Sequence, residues 1–171
     1  RLTMEYKRIS QAALPAALQK AERYRLLNEP TQAESICRDV LAVEPQNQTA
    51  LVTLLLALTD QFRAHSTSCV RRAEEVLAGI ADEYQRVYYA GIIRERWALA
   101  LLEGGDPGRQ AFTWLADAMK HYEAAEARAA GSGNDDAILR WNSCARVIER
   151  EGLHVDAESA VLDEGDAAPR L

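Results

Sequence analysis

Between Ala21 and Asn47 the chain reads AERYRLLNEPTQAESICRDVLAVEPQN, two helix-length runs joined by a tight turn and closed by a proline. This stretch constrains the fold more than any other. A hairpin of two short helices cannot bury its apolar face alone, so it has to stack against further helices. The first helix is expected over Pro15–Leu27, because a proline suits the first turn, where its missing N–H is no loss. The second is expected over Thr31–Val43. Thr31 and Glu34 have the spacing of a capping box. Glu44-Pro45 stops the helix, because a residue before proline avoids the α region.

The same grammar continues along the chain. Val, Ile, Thr and the aromatics never alternate with polar residues over a strand length, while Ala, Leu, Glu, Arg and Gln, good helix formers, dominate. A third helix is expected over Asn47–Phe62, with Leu51, Leu54, Leu55 and Leu58 on one stripe. A fourth runs from Ser68 to Gly79, after the polar link RAHSTS. The fifth, about 22 residues or ~33 Å long, starts from an Asp82/Gln85 N-cap pair and ends at Gly104-Gly105. Gly91 inside it costs about 1 kcal/mol against alanine, which marks a close helix contact or a slight bend. The sixth spans Arg109–Ala129, between GGDPG and GSGN, and the seventh runs from a cap at Asn134 or Asp135 to Glu151. The fold class read from this is all-α: about seven helices arranged as antiparallel hairpins stacked in series. The 171 residues divide into an N-terminal extension (1–9), one helical domain (10–151) and an acidic, mobile tail (152–171), in which Val155 to Leu162 has the pattern of a short helix.

The opening hairpin resembles a tetratricopeptide repeat (TPR), a helix–turn–helix unit of about 34 residues. That family puts a small residue midway along helix A, an aromatic three later, then an alanine, a bulky residue and a small residue along helix B, with a closing proline. Here those places fall on Ala21, Tyr24, Ala33, Cys37, Val40 and Pro45. Val40 is bulkier than the pattern prefers, and Pro30 stands where the family has a short polar link. A second unit offers Leu51, Leu54, Leu55 and Leu58, then Ala73, Leu77 and Ile80 displaced by the RAHSTS link. A third offers Trp97, Ala98 and Leu101, then Ala111, Leu115 and Ala118; the last helix offers Trp141, Cys144, Ala145 and Ile148. The small-residue places of the A helices, Ala21, Leu55, Ala98 and Ala145, step by 34, 43 and 47 residues. The resemblance therefore covers residues 14–150, about three and a half repeats, and is weakest in the middle. The alternative is an ordinary irregular helical bundle with similar Ala/Leu spacing.

Composition removes several functions. A net charge of −6 argues against a general nucleic-acid binder, which needs a basic surface to displace phosphate counterions. Cys37, Cys69 and Cys144 are odd in number, widely spaced and free of any CxxC pair, which points to a reducing, cytoplasmic compartment. There is no apolar run of membrane-spanning length, RLTMEYKRIS has no signal-peptide core, and Met4 is a candidate native start. Arginine outnumbers lysine 17 to 3 and alanine is abundant, which suggests a GC-rich bacterial genome. No phosphate loop, G-x-S-x-G elbow or metal-spaced His/Cys cluster occurs. His65 and His154 read as solvated and His121 as a boundary residue. GGDPG and GSGNDD read as a turn and a helix cap. Cys37 and Cys144 occupy packing places, and Cys69 reads as a partly buried spectator. No catalytic, cofactor or metal site is assigned.

The resemblance implies that the hairpins stack as a short right-handed superhelix of about seven helices, with a concave face, lined by the A helices, that binds a peptide or a partner protein. Its groove would take Glu22, Arg25, Thr59, Glu95, Leu99, Asn142, Arg146 and Glu149, beside the apolar Leu18, Val52, Leu56, Ile92, Leu102 and Leu139. The apolar members fit core packing as well, since ALVTLLLAL is close to apolar all round; the long fifth helix or the tail would then fill the concavity. The family's carboxylate clamp is matched only at Arg96, so capture of an acidic C-terminal peptide is not supported. The leading expectation is a non-enzymatic TPR-like scaffold for a protein or peptide, with no cofactor, nucleic-acid or membrane partner, and with homo-oligomerisation left open. The alternative is a helical small-ligand sensor or enzyme accessory subunit with a pocket beside the fifth helix, near Tyr88, Arg94 and Trp97. A third reading, an RNA-binding helical repeat, is disfavoured by the net charge.

Overall fold

The structure, a computed structural model, describes residues 1–63 and 66–155. His65 and residues 156–171 of the tail, with all but the first residue of the helix expected from Val155 to Leu162, lie outside the described residues. Among the described residues, seven α-helices follow a short 3-10 turn at Gln11–Ala13: α1 (Leu14–Leu26), α2 (Pro30–Val43), α3 (Gln48–Thr59), α4 (Ser68–Leu77), α5 (Glu83–Glu103), α6 (Arg109–Ala129) and α7 (Asp136–Glu151). No strand occurs among the described residues. Each helix packs on the next in the chain, α1 also meets α3, and α3 meets α5. That is a stack of helical hairpins in which the odd-numbered helices share one side.

Local chemistry accounts for the boundaries. The Asn47 side chain accepts from the Ala50 N–H at 2.9 Å and starts α3, and Asp82 accepts from the Gln85 N–H at 2.8 Å and starts α5. Asn28 takes a left-handed φ of 60°, which asparagine tolerates, and the Glu29 N–H closes the end of α1 on the Tyr24 carbonyl at 2.8 Å. Pro30 is then the first residue of α2, one position earlier than the Thr31 start expected from the capping-box spacing. Glu34 does not cap. It is buried and accepts from Arg38, from Arg72 of α4 and, at 2.8 Å, from Gln61 Nε2. α3 ends at Thr59 and α4 at Leu77, short of the expected Phe62 and Gly79.

Two main cores flank α5. The first gathers Ala21, Cys37, Leu55, Leu58 and Ala73 from α1–α4 against Ile93; the second gathers Leu115, Ala118, Tyr122 and Cys144 against Ile92. Neighbouring isoleucines on α5 thus face opposite cores. Alanines at 21, 33, 73, 98, 111, 118 and 125 are fully buried, which lets helix axes approach closely. In α7 the buried small residues are Ala137 and Cys144, the latter an expected packing place, whereas Ala145, the small-residue place of the repeat register, is only half-buried. Gly91 marks a close contact: a Cβ built on it would lie 2.5 Å from Cε1 of Tyr122. The ring of that fully buried tyrosine therefore lies directly across the backbone of α5.

Candidate functional site: a charged cavity on the odd-helix side

The odd-numbered helices close around a cavity of ≈ 400 Å³. Arg25 and Leu26 reach it from the end of α1, Thr59 and Asp60 from the end of α3, and Glu95, Arg96 and Leu99 from α5; Arg140 reaches it from α7. Position 60 is the C-cap of α3, so its carboxylate projects where the helix stops. There it meets two arginines from different helices. Arg25 Nε donates to Oδ2 at 2.8 Å and Nη2 to Oδ1 at 3.4 Å, while Arg96 Nη1 donates to Oδ1 at 2.5 Å. The side chains are 19% (Arg25), 28% (Arg96) and 17% (Asp60) exposed, so the ions are held in geometry by their surroundings. Planar guanidinium groups suit this shared carboxylate better than ammonium groups would. Two cations on one anion leave a surplus positive charge at the cavity.

Deeper in the wall lies Glu95, 3% exposed. A carboxylate is tolerated there because it is paired. Tyr122 donates its O–H to Oε2 at 2.7 Å, and Arg140 Nη1 stands 3.5 Å from the same oxygen. Gly91 and Glu95 are one helical turn apart on α5, so the glycine that admits the Tyr122 ring also brings its hydroxyl to the acid. Burial, and then the negative charge of Glu95, push the Tyr122 phenol well above its usual range, so it stays a donor. The same two causes push up the thiol of Cys144. Burial pushes Cys37 up to about 12, with Arg25 and Arg38 partly opposing it. Both thiols are therefore protonated and weakly nucleophilic near neutral pH.

Of the groove residues expected from the sequence, Arg25, Thr59, Glu95 and Leu99 line this cavity together. Glu22 is exposed on α1 and does not line it; neither do Asn142, Arg146 and Glu149 of α7. The reason on α7 is rotational. The buried face of α7 is set by Ala137, Cys144 and Val147, and Arg140 stands one turn before Cys144 on the side that lines the cavity. At about 100° per residue, positions 142, 146 and 149 fall roughly 120–180° around the helix from Arg140 and so face away from it. Val52, Leu56 and Ile92 pack into the cores, and Leu56 and Tyr89 touch both of them, so part of the expected groove is filled. The residues named for a sensor pocket do not converge. Arg94 pairs with Asp117 of α6, Tyr88 stacks on Tyr84 at 5.8 Å between centroids, and Trp97 packs edge-on against Phe62 at 5.9 Å.

Asp60 and Arg140 were missed. Asp60 has no local signal; its meaning comes from partners 35 and 36 residues away, close to one repeat length in each direction. Pairing opposite charges at repeat-equivalent places would have found it. Among the described residues, no group of three or more His, Cys, Asp or Glu is placed to hold a metal ion, and no helix is long and apolar enough to cross a membrane. No protein-family model matches the chain, and no curated protein or solved structure shows significant similarity to it.

Proposed function

We propose that the chain is a non-enzymatic scaffold, TPR-like in its repeating unit, that holds a segment of a partner protein or a peptide on the side of its odd-numbered helices. It is read as a bacterial, cytoplasmic protein, in keeping with three buried free cysteines. The observation that carries the reading is the cavity itself, to which α1, α3, α5 and α7 each contribute a charged side chain at its wall. Long-range convergence of this kind is not required by the packing of neighbouring hairpins, and an exposed Leu26 at its edge adds apolar contact area. The runner-up is a small-ligand sensor, since ≈ 400 Å³ is also the size of a small-molecule site beside α5.

Selection of a displayed random-peptide library against the purified chain tests the reading. Peptides should be enriched on the wild type and lost on Leu99→Trp, whose larger ring fills the cavity from a half-buried position. Absence of enrichment, or enrichment untouched by Leu99→Trp, overturns it. A small molecule retained in native mass spectrometry and released by the same substitution would move the assignment to the sensor.

A further inference from the structure

Resting on that reading, we infer that the segment held in the cavity carries an internal acidic side chain, seated on the Arg25–Arg96 pair and flanked by aliphatic residues. Four arginines line the cavity, Arg63 joining Arg25, Arg96 and Arg140, against the acids Asp60, Glu95 and Glu103. Arg140 is matched by Glu95. The surplus sits at Asp60, where one carboxylate serves two guanidinium groups through three N–H contacts. Each guanidinium has about five N–H donors, so the pair has capacity for a second carboxylate, and partial burial keeps the surplus charge from being fully screened. A chain of net charge −6 that places a positive surplus in this cavity selects an anionic group at that point rather than attracting polyanions over its surface.

The neighbours say what stands beside that group. Leu26 on α1 is 82% exposed, and Leu99 on α5 faces the same space. An apolar side chain thus accompanies each arginine, Leu26 next to Arg25 on α1 and Leu99 one turn after Arg96 on α5, which suits a segment that carries aliphatic residues beside its acidic one. Asp60 is then the specificity-setting residue. In the free protein it orients both arginines, and its charge holds down the affinity for the incoming acid.

The test compares internal and C-terminal random-peptide libraries selected on the wild type, on Arg25→Gln/Arg96→Gln and on Asp60→Asn, each variant checked for wild-type helicity by circular dichroism. Internal peptides should be enriched in Asp or Glu next to Leu, Ile or Val. Synthetic hits should bind about tenfold more weakly to Arg25→Gln/Arg96→Gln, more weakly as salt rises, and more tightly to Asp60→Asn. If the double arginine variant loses helicity, the Asp60→Asn arm and a Glu→Gln change in the peptide decide. Hits that bind equally well after their Glu is changed to Gln overturn the inference while leaving a peptide groove in place. So do hits confined to the C-terminal library, or arginine-dependent binding of a single-stranded oligonucleotide in place of peptides. No enrichment on any form overturns the groove itself.

Discussion

Replacing Gly91 with alanine should weaken the fold, although alanine is the better helix former. In an open helix the change would gain about 1 kcal/mol. Here the new Cβ would stand 2.5 Å from Cε1, 2.8 Å from Cδ1 and 3.0 Å from Cζ of Tyr122. That ring is fully buried between α5, α6 and α7, so it has no open direction in which to retreat. Overpacking of this kind costs about 1–3 kcal/mol. Moving the ring also disturbs the 2.7 Å bond from Tyr122 to Glu95, and a hydrogen bond to a charged group contributes about 1.5–3 kcal/mol. The net loss is about 1.5–5 kcal/mol. With a urea m-value of ~2–3 kcal/mol/M the midpoint falls by roughly 0.5–2.5 M, read by circular dichroism at equilibrium. The same substitution in a Tyr122→Leu background should lose its cost and approach the simple alanine gain, because the obstructing ring is gone. A stabilising Gly91→Ala in the wild type, or a cost unchanged in the Tyr122→Leu background, would refute the close-contact account.

Two further outcomes are expected. Glu34→Gln leaves the guanidinium groups of Arg38 and Arg72 without their shared carboxylate at the α2–α4 contact, which should cost about 2 kcal/mol in urea unfolding, whereas a change of a few tenths would show that the cluster is only a surface pair. Cys37 has a folded pKa of about 12 against its ordinary 9.0, so the native state holds its proton where the unfolded chain releases it. Stability from this source is complete below about pH 9 and falls as pH rises toward 12, by up to about 1.4 kcal/mol per pH unit. Thermal melts from pH 8 to 11 should decline, Cys37→Ala should flatten the decline, and a thiol reagent at pH 8 should label Cys37 only on unfolding. Rapid labelling of the native chain would contradict this.

Helices were legible where local chemistry decides them. Asn47 and Asp82 carry their caps within three residues, and the apolar stripe of α3 repeats at helical spacing, so the elements could be placed from sequence and their ends erred only by a turn or less. Glu34 shows where that reading fails. Its spacing from Thr31 is that of a capping box, yet Arg72, 38 residues away, competes for the same carboxylate and prevails. The candidate site was half legible. Arg25, Thr59, Glu95 and Leu99 followed from the repeat register, and the α7 members did not, because the face that α7 buries, Ala137, Cys144 and Val147, turns positions 142, 146 and 149 away from the cavity.

The sequence by itself determined that this is a chain of helical hairpins. Helix propensity, capping and the turn residues act within a few positions, and no competing strand pattern opposes them. The tertiary structure alone decided what the hairpins do together: that Tyr122 lies across Gly91, that α5 is shared by two cores, and that Asp60 stands between Arg25 and Arg96. These depend on helix rotation and on contacts between residues far apart in the chain. A helix can turn by a third of a revolution with little change in its own stability, so only packing against its neighbours selects which polar groups face one another.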